Sequence, residues 1–446
     1  MSVIEPLVEN PDSFSSTGQA VIPDKWWTAY EDEQLNILMD SAFANNMNLT
    51  SVWYQLKEAE AIRKTQSTFL LPDIEVGAQT AISRPKPDFA GGENTQLGLS
   101  AGYEVDLWGK IRAGLEAEDF RLRASYYDYQ TAAMTLSAQI ATVWFQLLTT
   151  RKQLKLATEQ IETNQKIIKL IRVRFGGGQI KGVDILRQHQ LLEEAKDQRI
   201  IYETNLSIFK NQLAVLTGTS PRNFTAELRD SLPQLPALPA TGLPLELVRR
   251  RPDIQREHNL LLAADRDMAA AVRNKFPRLS LNLSMQARSN EYSELFSNWA
   301  YTLGANLLAP VLYWGRLRAE VNRTEAVKMQ QLYRYGQTVL TAFQEVENAL
   351  IREENQLKRL DVLEKRLTMA EKVNTQLRIE FLNGFTEYLD VLLALDQQQQ
   401  LQRDWLETRQ ELYEIRINLY RALAGGFDTG RENDAGTNIP DKTKRL

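Results

Sequence analysis

RIEFLNGFTEYLDVLLALD, Arg378 to Asp396, lies between two very long helical runs, and an earlier stretch, RVRFGGGQIKGVDILRQHQ from Arg172 to Gln190, follows the same plan. Phe175 pairs with Phe381, Gly178 with Gly384, Asp184 with Asp390 and Ile185 with Val391. One offset of roughly 206 residues relates all four pairs, far beyond the period of a solenoid repeat. The chain therefore reads as two copies of one large unit, and each quoted stretch as the tip of a helical hairpin. The bounds are a polar, proline-bearing extended arm over 1–30, a first copy over 31–218, a proline-rich bridge over 219–244, a second copy over 245–424 and a polar tail over 425–446.

Outward from the tips, the helices are long. Between Lys110 and Phe175 there is no proline and one glycine, Gly114. A helix of roughly 60 residues at 1.5 Å each is about 90–100 Å long. Leu147, Leu154, Ile161 and Ile168 fall on a heptad stripe, the mark of a coiled coil or an assembly strut. In the second copy, Val346, Leu350, Leu357, Leu360 and Leu367 lie along the matching helix. Shorter helices are predicted over 31–68, ended by Pro72, and over 245–274, ended by Pro277.

Each copy also holds two stretches of period two, predicted as strands over about 72–83, 96–107, 278–288 and 300–309. Ile74, Val76 and Ala78 alternate with Glu75, Gly77 and Gln79, and Leu279, Leu281 and Leu283 with Ser280, Asn282 and Ser284. Each strand has one apolar and one polar face. A half-buried sheet packed on its own helices would account for that pattern, but helices of such length offer little cover at the end where the strands sit. If the apolar face meets lipid instead, the sheet must close, because open edges are not tolerated in hydrocarbon. Four strands are too few, since about eight make the smallest known barrel. Three copies pooling their strands would supply twelve, with polar faces lining a lumen and the hairpins closing into a helical tube.

Composition narrows the field. The chain is 43% hydrophobic and 25% charged, ordinary for a folded protein. Its net charge of −4 and pI near 5.6 argue against a nucleic-acid partner. With no cysteine, disulfides and thiolate chemistry are excluded. The two histidines, His189 and His258, stand apart among charged neighbours and read as solvated side chains, not as metal ligands. The triple glycine Gly176–Gly178 lacks the GK[ST] ending and the preceding strand of a phosphate cradle. No enzyme is expected and no cofactor. No run reaches the roughly 18 apolar residues of a spanning helix, and the N-terminal residues do not have the pattern of a signal peptide.

Four stretches carry a resemblance: LPALPATGLPLELVRRRPDIQREHNLLLAADRDMAAAV from Leu235, YEVDLWGKIRA from Tyr103, APVLYWGRLRAEV from Ala309 and FLNGFTEYLDVL from Phe381. Together with the overall order of elements, covering roughly 26–426, the chain resembles the TolC-like outer membrane factors. It is most similar to the lipoprotein branch that serves RND drug pumps. The resemblance implies a mostly α fold with a small β part: a homotrimer with a twelve-stranded barrel in outer-membrane lipid and a helical tunnel in the periplasm. An equatorial belt is implied for the arm, the bridge and the C-terminal segment. It also implies a periplasmic adaptor (membrane fusion) protein and an inner-membrane RND-type pump as partners, and a passive exit duct as the function. A type I secretion duct and a soluble coiled-coil scaffold are the alternatives. Lipoprotein members carry an acylated cysteine, whereas this chain reads Met1-Ser2 and has no cysteine.

Carried over by position, the resemblance puts Thr386, Glu387, Asp390 and Leu393 at a periplasmic gate near a threefold axis. Leu393 stands where some relatives have a second aspartate, so the aperture's charge is expected to be reduced or to move to Glu387. Arg174, Lys181 and Asp184 are expected to link the first tip to its neighbour, and Gly177, Gly178, Gln179, Gly384 and Phe385 to meet the adaptor. The plainer alternative is that Asp184 and Asp390 cap the helices they begin.

Overall fold

The computed structural model describes residues 13–82, 93–225, 232–289 and 292–425. The first dozen residues of the arm, the loop between the first two strands, part of the bridge and nearly all of the expected polar tail lie outside that range. The elements run α1 (Glu33–Asn45), α2 (Met47–Thr68), β1 (Asp73–Ile82), β2 (Glu93–Val105), α3 (Lys110–Gly176), α4 (Gly182–Leu216), α5 (Pro244–Arg250), α6 (Pro252–Arg273), β3 (Arg278–Ser289), β4 (Trp299–Leu308), α7 (Arg316–Leu382) and α8 (Tyr388–Ala422). The protein is mostly helical with one small sheet. Helices α3 and α7 both have 67 residues, and α4 and α8 both have 35. None of the described helices is long and apolar enough to cross a membrane.

Two compact units are present, and each takes residues from both sides of the bridge. One comprises Val52–Tyr129 and Pro252–Val339. Its sheet is antiparallel in the order β1-β2-β3-β4. The register places Val76, Leu99, Met285 and Tyr301 in one cross-strand row, and Ile74, Ala101, Leu283 and Leu303 in the next. Between them on the opposite face runs Glu75, Ser100, Ser284 and Thr302. Side chains alternate across a strand, so along these rows one face is apolar and the other polar, the apolar face giving way at one end to Thr80, Thr95 and Ser289. The apolar face is open: Val76 is 75% exposed, Tyr301 70% and Leu303 74%. β1 and β4 are its edges.

The sheet joins α3 through a built corner. Both carboxylate oxygens of Asp106 accept backbone N–H bonds, from Ile111 and Arg112, at 3.0 Å each, which satisfies donors that a helix start leaves free. Gly109 turns the chain with φ +74°. Trp108 stacks on Phe276 at 5.0 Å and donates to the Pro277 carbonyl at 2.8 Å. In the same unit His258 departs from expectation: it is half-buried against Tyr335, and desolvation lowers its pKa. A stripe of charged neighbours in sequence did not reveal the aromatic ring on another helix.

The other unit comprises Met1–Ser51, Gln130–Arg251 and Leu340–Leu446. Its centre is an aromatic stack. Trp26 and Tyr30, in a short 3-10 turn over Trp26–Tyr30, are buried with Phe145, Tyr413 and Tyr420. Trp26 lies 5.4 Å from the Tyr420 ring and Phe145 4.7 Å from Tyr413, both stacked. The expectation of an extended arm thus stops short, because the last residues of the arm are a core plug. Before them the arm is extended and pairs with the bridge, with Gly18 N–H donating to the Pro239 carbonyl at 3.1 Å. A Cβ at Gly18 would sit 1.9 Å from the Leu238 carbonyl oxygen, so only glycine fits.

Two helices read as continuous are interrupted. Asn46 separates α1 from α2: its side-chain oxygen accepts from Leu49 N–H at 2.8 Å, and its amide donates to the Leu216 carbonyl at 2.9 Å. Arg251 separates α5 from α6, held in extended backbone by the proline that follows it. Its guanidinium donates to Glu345 at 2.8 Å and to the Ala422 carbonyl at 3.3 Å, so the Arg-Pro-Asp motif anchors the end of α8. The bridge is clamped from α8 as well. Arg416, buried against Glu353, donates to the carbonyls of Pro236 and Ala237. Removing one member of a buried pair leaves the other charge uncompensated. Arg416→Met is therefore expected to destabilise this unit by about 3–5 kcal/mol, and Arg416→Met with Glu353→Leu by clearly less. Denaturant unfolding of the three proteins checks the order.

Candidate functional site

Both tips are built alike. Two residues beyond the end of α3 stands Gly178 at φ +71°, and two beyond the end of α7 stands Gly384 at φ +80°. Gln179 N–H reaches the Arg174 carbonyl at 3.0 Å, and Phe385 N–H the Glu380 carbonyl at 2.9 Å. Gly178 donates to Phe175 and Gly384 to Phe381. This paired pattern with glycine in the left-handed position is the Schellman ending of a helix. The next helix starts three residues later, with Lys181 as N-cap of α4 and Glu387 as N-cap of α8.

The tips share one apolar core: Ile171, Ile180 and Leu191 from the first hairpin lie with Phe381, Tyr388, Val391, Leu392 and Leu395 from the second. Around it lies a cleft of about 470 Å³ lined by Arg174, Lys181, Asp184, Gly384, Thr386 and Glu387, among others. Three polar links join the two hairpins here. The two N-cap residues pair with each other, Lys181 Nζ to Glu387 Oε2 at 3.3 Å, both largely exposed. Arg174 donates to the carbonyls of Phe381 and Leu382 at 3.4 Å each and lies over the Phe381 ring at 5.0 Å. A cation there meets the negative end of α7. The third link is Tyr388, whose hydroxyl donates to Gln188 Oε1 at 2.5 Å.

Asp184 and Asp390 occupy matching places in the first turns of α4 and α8. Neither N-cap side chain makes a capping bond. Asp184 is buried and pairs with Arg187 of its own helix at 3.5 Å. Its charge, after burial, is the second cause of the raised pKa of the Tyr388 phenol, which remains a donor. Asp390 is exposed and accepts from the Thr386 hydroxyl at 2.7 Å. Glu387, Asp390 and Leu393 lie exposed at helical spacing on the side of α8 away from the shared core; Leu393 is 58% exposed. At the outer ends, Gly177, Gly178 and Gln179 are exposed, as is Gly384, and Phe385 is 82% exposed. His189 meets Arg172 at 3.2 Å instead of standing free. Among the described residues no cluster of His, Asp and Glu could hold a metal. Sequence reading missed the Tyr388–Gln188 bond, whose partners lie 200 residues apart.

A family model described as outer membrane efflux protein matches residues 38–219 and 243–425. The pyoverdine export outer membrane protein OpmQ of Pseudomonas aeruginosa is 30% identical over 92% of this chain and 88% of its own length. The cation efflux system protein CusC of Escherichia coli is 25% identical over 94% of this chain and 91% of its own. Among solved structures, the outer-membrane channel OprN superposes with a TM-score of 0.86 at 25% identity, covering 94% of this chain and 98% of that one.

The links should differ in strength. Breaking the exposed pair with Lys181→Gln is expected to cost less than about 1 kcal/mol and nothing at high salt. Arg174→Ala, which loses a helix cap and a ring contact, should cost about 1–2 kcal/mol at any salt. Denaturant unfolding at low and high ionic strength separates the two.

Proposed function

The chain belongs to the outer membrane efflux protein family, and from that premise we propose that it is the outer-membrane exit duct of a tripartite efflux pump. Three copies pool their strands into a twelve-stranded barrel in the outer membrane. The α3–α4 and α7–α8 hairpins, with α3 and α7 each about 100 Å long at 1.5 Å per residue, form a tunnel in the periplasm. The equal lengths of the paired helices support a duplicated unit as the building block. One observation carries the reading: an apolar cross-strand face that stands open on a sheet with two free edges. In water that face is costly; in lipid, with the edges paired to neighbouring copies, it is the natural surface of a barrel.

The duct itself performs no reaction. Relatives are named for pyoverdine export, toluene efflux and cation efflux, cargoes with little chemistry in common. A passive tube that accepts what its pump delivers fits such a range, and a dedicated substrate pocket does not. At the periplasmic end, the exposed face of α8 forms the gate. Threefold symmetry would bring Glu387 and Asp390 into acidic rings, with Leu393 as an apolar constriction beside them. Like charges so confined repel, and they attract and select cations. The glycine tips and Phe385 meet a periplasmic adaptor, and an inner-membrane RND-type pump completes the assembly.

Arginine on the apolar face tests the barrel. Leu99→Arg and Leu303→Arg should each cost about 2–4 kcal/mol at mid-bilayer and reduce the yield of membrane-extracted trimers, while Ser284→Arg on the polar face should be tolerated. Wild-type yields for the first two would contradict the reading. For the gate, Asp390→Ala is expected to raise single-channel conductance in planar bilayers and to weaken block by multivalent cations; unchanged current would remove Asp390 from that role.

A further inference from the structure

The first turn of α8 has two faces. The exposed one carries Glu387 and Asp390; the buried one carries Tyr388, 4% exposed. From Tyr388 a chain of buried polar side chains runs along the helices. Tyr388 donates to Gln188 Oε1 at 2.5 Å, and Gln188 Nε2 donates to Asn164 Oδ1 at 2.9 Å. Asn164 and Gln399 exchange amide contacts at 3.4 Å. Gln160 donates to the Gln399 carbonyl at 3.2 Å, and Arg403 to Gln160 Oε1 at 3.2 Å and to Glu194 at 3.1 Å. The rungs alternate between α3 and α4 on one side and α8 on the other. Gln188 and Asn164 are fully buried.

Within the first hairpin α3 and α4 meet through one such polar bond, Gln188 to Asn164, and otherwise through an apolar cluster of Ile161, Ile168, Leu192 and Ala195. Stability alone would favour the same solution against α8, since burying an amide costs free energy unless its bonds are made. A buried polar residue in a helix seam has a different effect: it penalises every axial register but the one that satisfies it. Here several such residues act in series, and the last rung lies in the turn that presents Glu387 and Asp390.

We propose that Tyr388 is a positioning residue: with Gln188 and Asn164 it locks the register of α8 against the first hairpin and thereby fixes the height and rotation of the acidic face of α8. The lock is buried, so salt does not loosen it, unlike the exposed Lys181–Glu387 pair. Its hydroxyl stays protonated because burial and Asp184 disfavour the phenolate, so the donor is present throughout the neutral range. The consequence for a pore rests on the channel reading; the lock itself does not.

The experiment compares wild type, Tyr388→Phe and the double variant Tyr388→Phe with Gln188→Leu. Tyr388→Phe keeps the ring in the shared core but leaves Gln188 Oε1 buried and unpaired. The double variant leaves no orphaned Gln188 oxygen, but it too has no lock, and it also loses the Gln188–Asn164 bond. Hydrogen exchange at the amides of Val391 to Leu395 should be roughly tenfold faster in Tyr388→Phe, equally so in low and high salt, and should stay faster than wild type in the double variant. Single-channel conductance should rise in Tyr388→Phe and stay raised in the double variant. Unchanged exchange in Tyr388→Phe overturns the lock, and so does a double variant that returns to wild type, since that would make the orphaned Gln188 oxygen, and not the lost register, the cause. If exchange follows the expected pattern while none of the three proteins conducts, the lock stands and the channel reading fails.

Discussion

A sheet of four strands cannot hide its own edges. β1 and β4 each leave a row of backbone donors and acceptors unpaired, and the rows of Val76, Leu99, Met285 and Tyr301 and of Ile74, Ala101, Leu283 and Leu303 leave apolar surface bare. Exposed edges invite pairing with another chain, and large open apolar patches mark interaction or membrane surfaces. A barrel pooled from several copies resolves both conflicts at once. The helices follow the same logic, since the exposed stripe of Glu387, Asp390 and Leu393 on α8 faces away from the core of its own chain. Each unit is therefore incomplete alone, and the proposed duct is what their completion would enclose.

The large features were legible because they are periodic. Alternation from Ile74 to Ala78 and from Leu279 to Leu283 sets strand faces without knowledge of any partner, and the observed strands differ from the predicted spans by at most three residues at their ends. The tips were legible for a related reason: a glycine in the left-handed position followed by an N-cap three residues on is a local pattern. Long-range chemistry was not. Asn46 looked like one more polar residue in a helix until Leu216 was found opposite its amide. Trp26 and Tyr30, placed in a polar and proline-bearing region, proved to be the centre of an aromatic core. Arg251 reads as one of three arginines, and only its contacts with Glu345 and Ala422 separate it from the others.

Local order is combined with polar contacts at the tip. The Schellman endings and the shared apolar core fix the two hairpins, while three links of different exposure join them. Lys181 with Glu387 lies in solvent and is screened by salt; Arg174 rests on helix carbonyls and a ring; Tyr388 donates into a buried amide chain. A graded set of this kind lets one contact yield while the others hold. That property suits the periplasmic aperture proposed for this duct.

The absence of cysteine from the chain makes the central claim directly measurable. Paired substitutions, one scanning β1 from Ile74 to Thr80 and one scanning β4 from Trp299 to Leu307, bring cysteines together only if the two edges meet within disulfide reach, about 7 Å between Cα atoms. The account predicts that oxidation of membranes carrying some of these pairs yields covalent trimers on non-reducing gels, with the pairs in register giving the strongest bands. Protein that stays monomeric across the whole scan would contradict it.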